Sequence, residues 1–393
     1  MKKPLTQVII DTLLKVLPDQ TPIPLHEPFF CGNEKKYLMD CIDTRFVSSI
    51  GAYVDKFETM LAEFTGAKHA IAVVNGTSAL HIALLISGVL PKDEVLVPSL
   101  TFVGSANAIV YCNAFPHFVD SCSETLCLDI PKLCAYLDRI SLNKKNTCIN
   151  KITGNIIRAI LPVHVFGHPV DMDPLLAVCE KYNLKIVEDA AESIGSYYKG
   201  RHTGNFGIAS AISFNGNKTI TTGGGGAILC NDTALAQKAK HLSTTARADQ
   251  NWHPYHDQSG FNYRMPNINA ALGCAQLEQL PDILVNKREL ALAYKNAFNH
   301  IEGIRLVWEK EHARSNFWLN TLMLDKADKE QLKQILDLTN KQGILTRPVW
   351  TPLHQLPMFR QYPSMDMSVV EQAQHRVINL PSSCNLWNTN TGK

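Results

Sequence analysis

Short apolar runs alternate along this chain with longer stretches in which apolar residues recur every three to four positions. Residues 70–74, 94–98, 116–120, 159–164 and 186–188 read as buried strands. Helical patterns follow several of them, at 79–85, 173–182 and 234–242. Strands separated in this way indicate parallel β-α units and an α/β sheet covered on both faces. Ahead of this core, residues 5–17 read as an amphipathic helix with Val8, Ile9, Leu13, Leu14 and Leu17 on one side. Residues 20–28 are proline-rich and extended, and 33–44 form a second helix. Residues 198–201 suggest a hairpin, and a long helix is expected from Asn267 to about His300. Beyond Gly303 come strands at 318–324 and 376–380 and a helix at 329–342. The expected division is a leader (1–28), a large domain (29–275) and a smaller C-terminal α/β domain (276–393).

Composition narrows the function classes. The 393 residues are 45% hydrophobic and 19% charged, as in an ordinary globular protein, and the net charge is +2. Such a balance gives no support for nucleic acid or an anionic membrane as partner. No apolar run reaches the roughly 18 residues of a spanning helix. Met1-Lys2-Lys3-Pro4 is basic, but Gln7, Asp11 and Lys15 interrupt the apolar core that a signal peptide needs. Eleven cysteines are scattered without a C-x-x-C pair, so neither a disulfide framework nor a metal site is expected. The expected compartment is the reducing cytoplasm.

The chemistry concentrates between residues 186 and 232. An apolar run ends in Glu188 and Asp189, and strand-end carboxylates are frequent site residues in open α/β sheets. Further on, Ser213-Phe214-Asn215-Gly216-Asn217-Lys218 leads into Gly223–Gly226. Glycines there allow a close approach of backbone. Each feature has a plain structural explanation as well: a helix cap, a solvated lysine, a flexible loop. Together they suggest a pocket in which an acid and an amine act on one small molecule. Upstream, residues 70–79 read as strand, small-residue turn and helix, which puts N–H groups at a helix N-terminus suited to a phosphate.

Three motifs, E-D-A-A at 188–191, S-F-N-G-N-K-T-I-T-T-G-G-G-G at 213–226 and N-Y-R-M-P-N-I-N-A-A-L-G at 262–273, resemble the DegT/DnrJ/EryC1/StrS family. Its members are pyridoxal-phosphate (PLP) aminotransferases of nucleotide-linked keto-sugars. The resemblance extends from about residue 24 to 383. It implies PLP fold type I, aspartate-aminotransferase-like, with a mainly parallel seven-stranded sheet. It also implies that Lys218 forms the Schiff base with the cofactor and that Asp189 contacts the pyridine nitrogen. A carboxylate there keeps the ring protonated as an electron sink. A lysine amine is a nucleophile toward an aldehyde and, once released, a general base.

By the same resemblance Gly76, Thr77, Ser78 and Ser213 hold the cofactor phosphate, and Phe102 stacks on the pyridine. Glu192 lies near the cofactor hydroxyl and the sugar. Asn262 reaches the phosphate of a neighbouring subunit, which implies a homodimer with shared active sites. Ser48 lies in a segment at the mouth of the site, where Phe46 stands in place of the family's usual tryptophan. Ser48, Glu192, Asn217, Arg347 and His354 are the substrate-side candidates. An arginine fork suits either a sugar-nucleotide phosphate or a donor carboxylate. His164 and His168 have helical spacing, but Pro162, Gly167 and Pro169 argue against a helix, so they read as structural or pocket-lining.

The wording of the motifs is closest to enzymes acting on UDP-4-keto-6-deoxy-N-acetylhexosamines. The expected reaction moves an amino group from L-glutamate to the C4 ketone of such a sugar. Two alternatives remain on the same fold: a PLP-dependent sugar dehydratase, against which Lys218 argues, and a non-catalytic nucleotide-sugar-binding regulator. A nicotinamide enzyme would want G-x-G-x-x-G after the first strand, and Asn75-Gly76-Thr77-Ser78 does not supply it.

Overall fold

The protein is seen in a computed structural model that describes residues 3–144, 146–248 and 252–387. Its centre is a sheet of seven strands: β1 (His69–Val73), β2 (Glu94–Pro98), β3 (Phe115–Val119), β4 (Ile157–Ile160), β5 (Lys185–Asp189), β6 (Ala209–Ser213) and β7 (Gly226–Cys230). They lie in the order β1-β7-β6-β5-β4-β2-β3. β7 runs antiparallel to both neighbours, and every other pairing is parallel.

Alternation along the strands builds a core on each face. Ile71, Val73, Ala211 and Ile228 enter one cluster, whereas Ala70, Ala72, Ile212 and Leu229 enter the other. This period of two is what pleating imposes on a strand covered on both sides. Before the sheet come helices α1 (Leu5–Val16), α2 (Glu34–Thr44) and α3 (Ala52–Thr65). Within it lie α4 (Gly76–Ile86), α5 (Val103–Tyr111), α6 (Ile130–Ile140), α7 (Met172–Tyr182) and α8 (Thr233–Ser243), and then α9 (Asn267–Phe298). Phe57 of α3 and Leu277 and Leu280 of α9 cover the face carrying Ile212. Residues of α4 to α8 cover the opposite face.

A second sheet is formed by β8 (Ile304–Leu306), β9 (Asn320–Leu324), β10 (Arg347–Pro348) and β11 (Val377–Leu380), in the antiparallel order β8-β9-β11-β10. Helix α10 (Lys329–Lys341) packs on it. α9 continues through the expected junction at 275/276 without a break, with Pro281 inside it. The leader helix α1 joins the smaller sheet: Ile9, Leu13 and Val16 pack with Leu290, Tyr294, Leu332 and Ile335. Of the expected face Ile9, Leu13 and Leu17 are buried, and the difference lies at its edge. Ile10 and Val16 are buried, whereas Leu14 is 49% exposed. The expected hairpin is present, with Tyr197–Tyr198 antiparallel to Arg201–His202.

The expected strand at 159–164 is shorter than its apolar run. After Ile160 the chain turns through Pro162 into a 3-10 turn at Val165–Gly167, in which Phe166 has φ +56°. No α-helix joins the two histidines. His164 Nε2 meets Glu188 Oε2 at 3.1 Å, and His168 is buried with an edge-on contact to Phe317. Among the described residues no cluster of His, Cys, Asp or Glu is arranged to hold a metal, and no helix is long and apolar enough to cross a membrane.

Candidate active site

Open α/β sheets bind ligands at the carboxyl ends of their strands, and the candidate site lies there. A cavity of about 290 Å³ is walled by the turn after β1, the loop after β2, the end of β5 and the loop after β6. That is close to the lower bound of roughly 300 Å³ for small-molecule sites. Asp189 and Lys218 both line it, together with Asn75, Gly76, Thr77 and Ser213.

The α4 end of the cavity is an anion cradle. Asn75 caps the helix, and its side chain accepts from Ser78 N at 2.7 Å. The N–H groups of Gly76 and Thr77 stand at the free end of the helix, where the dipole favours negative charge. Ser78 itself is buried and is not among the residues of the cavity wall, and its backbone N–H is taken by this cap. Two glycines make the cradle compact. A Cβ on Gly76 would lie 2.9 Å from Ser213 Cβ, and one on Gly226 would lie 2.5 Å from the Asn75 carbonyl carbon. The glycine run after the lysine therefore serves, at Gly226, to let β7 back onto the helix cap.

Asp189 sits at the end of β5, 5% exposed. Its Oδ2 accepts from Ser105 Oγ at 2.7 Å, and Oδ1 from Ala191 N at 3.2 Å. Burial pushes its carboxyl above the usual range, while Ser105, the Ala191 N–H and the charge of Lys218 pull the other way. Glu192, also 5% exposed, accepts from Phe166 N at 2.8 Å and faces Lys218 Nζ at 3.2 Å. Burial raises it as well, opposed first by Lys218. Two buried acids thus converge on one amine.

These residues fit the implied cofactor. The cradle of Gly76, Thr77 and Ser213 suits its phosphate, and Asp189 offers a buried acceptor for its ring nitrogen. Lys218 provides the amine that its aldehyde requires, and Phe102, 55% exposed at the start of α5, lines the cavity and offers an aromatic face.

The substrate-side candidates separate. Asn217 and Glu192 line the cavity. Arg347 lines an adjoining cavity of about 450 Å³ that shares Asn217, Trp318 and Trp350 with the first. Its guanidinium donates to Asn340 Oδ1 at 2.6 Å and to the Thr346 carbonyl at 2.8 Å. His354 is not brought to either cavity: its Nδ1 lies 2.7 Å from Ser99 Oγ and its Nε2 3.2 Å from Glu371. It braces the end of β2, because that hydrogen-bond pair consumes both ring nitrogens. Ser48 is exposed and away from the cavity, and its carbonyl accepts from Asn267 N at 2.6 Å. Asn262 is likewise exposed and is not among the residues that line the cavity of its own chain.

Several cavity residues escaped the sequence reading. Ser105 is one more small polar residue on a helix, and nothing local marks it as the partner of Asp189. Trp318 and Trp350 lie in polar-aromatic clusters at the edges of the smaller sheet, a signal for a site wall, but the charged Arg347 and His354 drew the reading instead.

Comparison with known proteins agrees with this geometry. Residues 31–391 match the DegT/DnrJ/EryC1/StrS aminotransferase family. The chain is 40% identical over 366 residues to a GDP-perosamine synthase of Escherichia coli O157:H7, covering 93% of this chain and 94% of that one. It is 37% identical over 375 residues to EpsN of Bacillus subtilis, described as a putative pyridoxal phosphate-dependent aminotransferase, covering 94% and 93%. The crystal structure of a DegT DnrJ EryC1 StrS aminotransferase from Brucella abortus superposes with a TM-score of 0.82 at 26% identity, over 91% of this chain and 92% of that one. The chain belongs to the DegT/DnrJ/EryC1/StrS aminotransferase family and is a PLP-dependent sugar aminotransferase.

Proposed function

We propose that the protein transfers an amino group from L-glutamate to the C4 ketone of a nucleoside-diphosphate-linked 4-keto-6-deoxy sugar, and that the nucleotide is GDP. The observation that carries the reaction is the convergence of Lys218, Asp189 and the α4 cradle on one cavity. The choice of GDP rests on the 40% identical relative, whose name is GDP-perosamine synthase. Motif wording alone favours a UDP-linked N-acetylhexosamine, and the acceptor experiment below separates the two.

Bound PLP supplies an aldehyde that takes up amines and a ring that accepts the electron pair left by proton removal. The chain supplies the rest. Gly76, Thr77 and Ser213 fix the phosphate, Phe102 orients the ring, and Asp189 holds a proton on the ring nitrogen. The amine of Lys218 anchors the cofactor. Once released, it would take the proton from Cα of the donor as general base and give it back as general acid. In the second half-reaction it moves a proton the opposite way at sugar C4, so donor amine and sugar ketone become keto acid and sugar amine. Glu192 sits beside that path, and Asn217 and Arg347 face the space a sugar nucleotide would fill.

The proposal includes a homodimer with shared sites. Asn262 is exposed and does not line its own cavity, which leaves its side chain free to serve a neighbouring copy. Met39, Ile42, Phe46, Val47 and Ile50 form an exposed apolar run on α2 and the loop after it, of a kind that commonly marks an interface.

The test is amine transfer from glutamate to GDP-linked and UDP-linked 4-keto-6-deoxy sugars, read by mass spectrometry of the product. Faster transfer to the GDP sugar is expected. Preference for the UDP-N-acetyl sugar would overturn the choice of nucleotide, and transfer to neither would overturn the acceptor class.

A further inference from the structure

The side-chain amine of Lys218 has two close neighbours. Glu192 Oε1 lies 3.2 Å from Nζ, and the centre of the Trp318 ring lies 3.8 Å from it on another side. A cation over an indole face at this distance is attracted by the ring quadrupole, most strongly where water is excluded. Trp318 is 4% exposed.

Both neighbours are fixed from behind. The indole Nε1 donates to the carbonyl of Asn217, the residue before the lysine, at 2.7 Å. The Trp318 carbonyl accepts from Lys287 Nζ at 3.2 Å, and Lys287 is itself tied to the Ser382 carbonyl at 2.6 Å and to His26 Nε2 at 3.0 Å. The Trp318 N–H donates to Asn316 Oδ1 at 2.8 Å. Glu192 is held by the N–H of Phe166, a residue kept at φ +56°, a conformation that non-glycine residues adopt only when the surroundings enforce it. The Phe166 ring stacks on Trp350, with centres 5.1 Å apart. A tryptophan that merely filled space would need neither the hydrogen bond to the residue beside the lysine nor a ring centred on its amine.

We propose that Trp318 is a positioning residue: its indole face and the Glu192 carboxylate form a two-sided seat for the Lys218 amine whenever that amine is not bonded to the cofactor. This rests on the aminotransferase reading only in requiring that Lys218 bind and release the cofactor in turn. The seat gives the released amine one place to wait, on the side of the cavity where it must next take a proton. It leaves the centre of the cavity to the amino donor or the sugar.

The test uses the full-length protein loaded with pyridoxamine phosphate, which leaves the Lys218 amine free. Tryptophans with one, two and three ring fluorines are placed at position 318 alone. They withdraw charge from the ring face with little change of shape, so packing is kept while the attraction fades. The readout is the rate at which acetic anhydride modifies Lys218, measured by peptide mass spectrometry against exposed Lys185. An amine held between the indole face and the carboxylate is less free to meet the reagent than a released one. The rate is therefore expected to rise stepwise with fluorine number, by about three- to tenfold across the series. A parallel pair, Trp318→Phe and Trp318→Leu, should order as wild type slowest, Phe next and Leu fastest. A flat rate across the fluorine series, or a Leu variant no faster than the Phe variant, would overturn the proposal. No donor and no turnover enter this readout, so it fails separately from the aminotransferase reading.

Discussion

The Ser105 hydroxyl donates to Oδ2 of Asp189 across 2.7 Å, joining the first turn of α5 to the end of β5. Thr101 Oγ1 in turn lies 2.9 Å from Ser105 Oγ. Ser105 thereby fixes Oδ2 while Ala191 N holds Oδ1, so the carboxylate has one orientation in which to meet the proposed ring nitrogen. Replacing Asp189 by Asn keeps the shape and removes the charge. Steady-state transfer should fall about 10²-fold or more, the scale of losing one preorganised electrostatic contact. Ser105→Ala should cost about tenfold, the scale of one hydrogen bond to a charged group, with cofactor still bound.

Gly226 faces the cap of α4 with no room for a side chain. Gly226→Ala must push backbone against backbone, so the cradle opens. The expected result is a loss of about 1–3 kcal/mol of stability and weaker cofactor binding, read by thermal unfolding with and without PLP. Gly224→Ala is the control: a Cβ there meets nothing within 4 Å, and it should leave both readings in place.

Lys287 is 1% exposed in the middle of α9, and burial lowers its amine to about 7. An unfolded lysine keeps its proton up to about 10.5. Between these values the unfolded chain binds more protons than the folded one, so the contribution of Lys287 to stability rises with pH across that window and falls away as pH drops toward 7. His26 beside it is lowered by burial too, and the nearby Cys384 thiol is raised by burial. The melting temperature of wild type relative to Lys287→Met should therefore increase from pH 7 to pH 9. A constant difference would show that the amine keeps its proton in the fold.

The proposed sharing of sites between subunits makes a specific prediction for mixed subunits. Lys218→Ala and Asn262→Ala chains are each expected to be inactive or nearly so. Mixed and allowed to exchange, half of the dimers combine the two, and one of their two sites has both residues intact. Activity should return to about a quarter of wild type. No recovery after verified exchange would mean that Asn262 does not serve its neighbour.

Much of this was legible in the chain. Five of the seven central strands follow from apolar runs, and two motifs mark Asp189, Ser213 and Lys218, which line one cavity. Ala209–Ser213 and Gly226–Cys230 are not legible as strands, because small residues and the glycine run hide their pattern. What escaped depends on contacts far apart in sequence. Ser105 meets Asp189 over a separation of 84 residues, and Trp318 donates to Asn217 over 101. No local pattern encodes such pairs. His354 misled because a histidine after a strand looks the same whether it meets a ligand or, as here, Ser99 and Glu371. At the α4 turn the capping side chain is Asn75, three residues before Ser78, and the sequence pattern alone does not say which of the two caps. On α1 the expected face holds at Ile9, Leu13 and Leu17 and fails at Leu14, which lies at the edge of the apolar arc.

The account turns on Lys218 and Asp189 acting together on PLP, and an absorption spectrum tests that most directly. Wild type and Lys218→Ala are each mixed with PLP, and L-glutamate is then added. Wild type should show a band at roughly 410–430 nm, as expected of PLP joined to a lysine, that collapses when glutamate is added. Lys218→Ala should lack that enzyme-linked band. A wild type that binds no PLP, or a Lys218→Ala variant with the same band and the same response to glutamate, would contradict the account.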